Sequence, residues 1–184
     1  MLATGGFHDP PVEAARAFRA AMSALARPGR IERVAGAQPP APLSTAAGVL
    51  LLTLVDADTP LHLAGEADCP EVRDWLALHT AAPLVGPGEA AFALGRWEAL
   101  QPLDGYAHGL PEYPDRSATL IVELDRLTAE GAELEGPGIA TRAALSLPDR
   151  SAFRANHARF PLGLDFFFTC GDRLAALPRS TRVL

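Results

Sequence analysis

"LDFFFTCGDRLAALPRSTRV", Leu164 to Val183, decides the fold, because two strand-like runs flank the pair Gly171-Asp172. Leu164 to Cys170 carries three consecutive phenylalanines, and Arg173 to Leu177 follows the pair. Glycine supplies the positive φ that a type II′ turn needs at its first central position, so the spacing predicts a hairpin. Pro178 has no N–H to give to a ladder, so the second strand ends there or runs to an edge.

A second strand signal lies upstream in "SATLIVEL", Ser117 to Leu124, a nearly unbroken β-favouring run. Such a run suits a strand covered on both faces, in the middle of a sheet. Shorter strands are expected at Arg30 to Val34, Pro60 to Ala64 and Ala90 to Leu94, and one more after "EGPGI", Glu135 to Ile139. Helical signals interleave with them. Asp9 can cap a first helix that has Pro10 and Pro11 in its first turn, and Val12, Ala15, Phe18, Met22 and Leu25 recur at helical spacing until Arg27-Pro28 stops it. "LSTAAGVLLLTLV" is apolar all round, as a helix buried against a sheet must be. Helices are also predicted over Pro70 to His79 and over Pro148 to Arg159, while "LDGYAHGLPEYPDRS" reads as loop. The pattern is a layered α/β domain with a mixed β-sheet flanked by helices.

At 184 residues the chain fits one domain, 1–184, with residues 1–9 as a short flexible tail. Its formal charge of -6 lacks the basic stripe that phosphate neutralisation requires, so nucleic acid is not an expected partner. The longest apolar run, Ala46 to Val55, is too short to span a bilayer, and the N-terminal stretch has no signal-peptide pattern. No membrane association is expected. Cys69 and Cys170 form no Cys-x-x-Cys motif, so a reducing, cytoplasmic setting fits. All sixteen basic residues are arginine. Without lysine there is no Schiff base and no Walker A motif, and no cofactor held in that way is expected.

Chemistry-bearing residues are scattered. His8, His62, His79, His108 and His157 show no paired ligand spacing, so no metal is expected; His108, in the middle loop, is the better functional candidate. No Gly-x-Ser-x-Gly elbow surrounds a serine, and Cys170 at a strand end is either reactive or a small buried hydrophobe. The turn carrying Gly136 and Gly138 can present backbone N–H groups to an anion or simply reverse the chain. Arg179 and Arg182 suit bidentate recognition of phosphate or carboxylate, and serve equally as edge-strand charges. Asp165, followed by three phenylalanines, needs hydrogen bonds or an arginine partner if buried. Catalytic residues are not identified.

Taken in order, "FRAAMSALARPGRI" (Phe18 to Ile31), "VLLLTLVDADTPLHL" (Val49 to Leu63), "LHTAAPLV" (Leu78 to Val85), "EYPDRSATLI" (Glu112 to Ile121), "LEGPGI" (Leu134 to Ile139) and the tail from Phe160 to Val183 resemble the PhnH family of the bacterial carbon-phosphorus lyase system. The resemblance covers about residues 10 to 183. It implies a fold similar to a reduced pyridoxal phosphate-dependent transferase without the cofactor, which agrees with the missing lysine. It implies a subunit that acts with PhnG, PhnI and PhnL to form α-D-ribose 1-methylphosphonate 5-triphosphate, displacing adenine from ATP with methylphosphonate. The radical iron-sulfur enzyme PhnJ then cleaves the carbon-phosphorus bond. It further implies a homodimer when isolated and a contact with PhnI in the core complex; with no convergent catalytic set beside these motifs, the isolated chain is not expected to be catalytic on its own. The alternative is an independent phosphate, phosphonate or nucleotide-binding protein using Asp165, Arg179, Arg182, the Gly136 to Gly138 turn and His108.

Overall fold

Residues 4–184 are described in a computed structural model. In chain order the elements are α1 (Pro10–Ala26), β1 (Glu32–Arg33), α2 (Thr45–Leu54), β2 (Leu61–Leu63), α3 (Pro70–His79), β3 (Phe92–Arg96), β4 (His108–Leu110), β5 (Tyr113–Ser117), β6 (Thr119–Glu123), β7 (Ala132–Glu135), β8 (Ala143–Leu145), α4 (Arg150–His157), β9 (Asp165–Cys170), β10 (Arg173–Leu177) and β11 (Arg182–Val183). The main sheet runs β1-β10-β9-β6-β3-β2. Its strands β2, β3, β6 and β9 run parallel to one another, whereas β10 pairs antiparallel with both β9 and β1. The sheet is therefore mixed, and β6 sits inside it as its apolar run predicts. At the hairpin Arg173 pairs with Cys170, and Gly171 takes φ 59° while Asp172 does not, as a type II′ turn demands.

Side chains alternate across a strand, so the three phenylalanines divide between two cores. Phe167 joins Ile121, Leu94 and Leu174 on the face covered by α1, α2 and α3. Phe166 and Phe168 join Leu120, Val122 and Leu177 on the opposite face, beneath α4 and a three-stranded sheet ordered β11-β7-β8. Phe153 of α4 packs edge-on against both, with ring centroids 5.0 Å and 5.6 Å away. Polar residues make the joints. Ser44 caps α2 by accepting from the Ala47 N–H, and Asp149 caps α4 by accepting from the N–H groups of Ser151 and Ala152. Asp56 accepts from the Asp58 N–H and the Thr59 hydroxyl, ordering the turn between α2 and β2.

Several expectations change. Asp9 makes no side-chain cap for α1; its N–H instead donates to Glu13 at 2.8 Å. The buried stripe of α1 is Ala17, Ala21 and Ala24, while Val12, Phe18 and Met22 are 42%, 50% and 48% exposed. Alanine faces inward because α1 lies directly on α2 and β10, and only methyl-sized groups allow that approach. Within the stretch read as loop, β4 and β5 form a hairpin, and β7 appears just before the glycine turn. Residues 1–3 of the tail expected over 1–9 lie outside the described residues. Further along, the Gly5 carbonyl accepts from the Gln38 N–H and Phe7 packs on the core.

The two faces of the chain should respond differently to truncation. Phe168→Ala removes a fully buried ring and should cost about 3–5 kcal/mol in guanidinium unfolding, whereas Phe18→Ala should cost under about 1 kcal/mol.

Candidate functional site

Parallel sheets leave a crevice beyond the carboxyl ends of their strands wherever two neighbouring strands send their connections to opposite faces. That condition is met between β2 and β3. After β2 the chain passes through Gly65, Glu66 and Ala67 to α3 on one face. After β3 it passes through Trp97 and Leu100 into the core on the other. A cleft of about 320 Å³ opens there, and the N-terminal end of α2 and the β9–β10 turn complete its wall.

Glu123, the last residue of β6, stands at the base of this cleft beside Arg96, the last residue of β3, to which it is register-paired. Its carboxylate accepts from the Ser44 N–H at 2.6 Å and from the Thr169 hydroxyl at 3.0 Å. The α2 N-terminus thus already faces an anion, one supplied by the chain itself. Burial nonetheless raises the Glu123 pKa above the ordinary carboxylate range, against the opposing pull of those hydrogen bonds and of Arg96. Arg96 is turned aside: its two η nitrogens donate to the carboxylate of Asp125 at 2.9 Å and 3.0 Å. Glu66 and Glu98 are exposed at the mouth, so the lining is acidic.

The residues singled out from sequence fall in three other places. Asp165 at the start of β9 meets Arg179 beyond the end of β10. The Arg179 Nη2 and Nε donate to the two carboxylate oxygens at 2.6 Å and 3.2 Å, and its own backbone N–H adds a bond at 2.8 Å. Nη1 reaches the Pro114 carbonyl at 2.6 Å, so one guanidinium ties β9 to the β4–β5 hairpin. Arg182 on β11 pairs with Glu135 on β7. Gly136, with φ 138°, lies against Ser180 and Thr181. Gly138, with φ 82°, sits so close to the Ala26 carbonyl that a Cβ would fall 1.9 Å from it, so the turn holds the end of α1. His108 is apart from all of these. Its Nε2 lies 3.2 Å from the Leu103 carbonyl, and burial together with Arg159 lowers its pKa. A smaller cleft beside it is lined by Asp104, Asn156 and Arg159. Cys170 is half-buried with Sγ 3.4 Å from the Asp125 carbonyl.

The family model described as Bacterial phosphonate metabolism protein (PhnH) matches residues 5–184. This chain belongs to the PhnH family. A curated family relative, α-D-ribose 1-methylphosphonate 5-triphosphate synthase subunit PhnH of Rhizobium meliloti (strain 1021), is 40% identical, covering 98% of this chain and 94% of that one. A putative C-P lyase subunit protein, HtxG of Stutzerimonas stutzeri, is 31% identical over 91% of this chain and 84% of its own.

The candidates legible in the sequence sit on turns and strand ends and do not include Glu123, Ser44 or Arg96. The available signal was a carboxylate closing an otherwise apolar central strand. Two substitutions probe the two places. Asp165→Ala should destabilise by about 3–5 kcal/mol in denaturant unfolding, because it strands a mostly buried guanidinium. Glu123→Gln should instead reveal a dependence on pH. A carboxyl whose folded pKa is raised contributes its full stability below the unfolded value and loses it as pH rises toward the folded value. Unfolding midpoints measured from about pH 4 to 8 should therefore fall in the native chain relative to Glu123→Gln as pH rises.

Proposed function

We propose that this chain serves as the PhnH subunit of α-D-ribose 1-methylphosphonate 5-triphosphate synthase, in a bacterial carbon-phosphorus lyase pathway. The observation that carries the reading is the end-to-end likeness to the Rhizobium meliloti subunit, which leaves little of either chain unmatched. In this reading the subunit works with PhnG, PhnI and PhnL as methylphosphonate displaces adenine from ATP, is a homodimer alone, and enters the core complex through PhnI. We place it in the cytoplasm, where its two free thiols are compatible with the reducing environment. Its layered fold is read as a pyridoxal phosphate-dependent transferase fold reduced to a scaffold, and the absence of any lysine to form an aldimine fits the loss of the cofactor in that reading.

A supporting role, rather than independent catalysis, suits the way the sequence-selected polar groups are used. Asp165 and Arg179 are spent on each other, and Arg182 on Glu135. Using that region as the alternative phosphate or phosphonate site requires Arg179 to leave a carboxylate that already fills its fork.

Co-expression with PhnG, PhnI and PhnL tests the proposal. A co-purifying assembly that consumes ATP and methylphosphonate only when this chain is included is expected. Unchanged assembly and rate without it would refute the role.

A further inference from the structure

The acidic cleft at the carboxyl ends of β2, β3 and β6 has no part in the subunit reading, and its chemistry differs from that of the anions the family name suggests. Its volume, about 320 Å³, is at the lower end of small-molecule sites. Leu43, Ala67, Ala99 and Leu124 give it apolar walls, and three glycines keep side chains out of it. Among the described residues its ionisable lining is Glu66, Glu98 and Glu123 against Arg96 alone. Arg96 offers little to an incoming anion because both η nitrogens face Asp125. Ser44, whose N–H would otherwise be an anion donor at a helix N-terminus, is already occupied by Glu123. A phosphate entering here would meet carboxylates, with no free cation among the described lining residues to offset them.

We propose that this cleft binds a compact organic cation, an amine or amidine on a small apolar body, with Glu123 as the ion-pairing carboxylate and Glu66 and Glu98 at its mouth. The apolar walls receive the body of the ligand, and the cation donates to the Glu123 carboxylate, whose two oxygens each accept one bond from the chain and keep a further lone pair. Because Glu123 must be ionised to pair, affinity rises with pH through its titration, modulated by Arg96, Asp125, Glu66 and Glu98 around it. Binding stands apart from assembly with other subunits and is measurable on the isolated chain.

The test uses benzamidine as the cationic probe and inorganic phosphate as the anionic one, followed by amide NMR shifts. Benzamidine should move the signals of Gly65, Gly95 and Gly171 saturably and more tightly at pH 8 than at pH 5; phosphate should leave them in place. Glu123→Gln should weaken benzamidine at least about tenfold. Ala99→Phe, on the exposed rim and outside the buried network, should block it with the fold intact. Failure of benzamidine to move these signals, affinity unchanged by Glu123→Gln or by Ala99→Phe, or phosphate binding at these glycines would each overturn the proposal.

Discussion

Strand β9 carries phenylalanine on both faces, and such a strand is stable only when both faces are covered. Phe167 needs the α1–α2–α3 layer, and Phe166 with Phe168 needs Phe153 of α4 and the small sheet on the other side. Each aromatic ring buries on the order of 150–250 Å², enough that neither covering layer is optional. The three-layer architecture follows from this division. So does the placement of β6 and β10 on either side of β9, since both must also bury two faces. The lock between Asp165 and Arg179 sits at the start of the same strand and fastens it to the outer hairpin.

Covering both faces has a consequence at the far end of the sheet. The connections leaving β2 and β3 must supply different layers, so they diverge and leave a crevice between them. The N-terminus of α2 points into that region, and Glu123 satisfies it from the end of β6. One carboxylate therefore both completes the helix and gives the cleft its sign.

Much of the fold was legible locally. The hairpin, the central strand and the limits of α3 follow from turn chemistry, β-favouring runs and proline positions, because these are decided within a few residues. The buried face of α1 was not legible. Phe18 and Met22 repeat as well as Ala17 and Ala21, and the choice between the stripes depends on how closely the helix approaches its neighbours. The β4–β5 hairpin was hidden by its glycine and proline content, although Pro114 carries no N–H to sacrifice and its carbonyl is what Arg179 uses. The phenylalanines beside Asp165 imply hydrogen bonds or an arginine partner if it is buried, but that Arg179 fills this place depends on a non-local pairing. The cleft was illegible for the same reason: Gly65, Arg96 and Glu123 are brought together only by strand order.

The most direct measurement is a crystal structure of the chain grown with benzamidine above pH 7. The account predicts the amidinium against Glu123, its ring between Ala67 and Ala99, and the Asp165–Arg179 pair intact. An empty cleft with ligand seated at Arg179 and the Gly136 to Gly138 turn would contradict it.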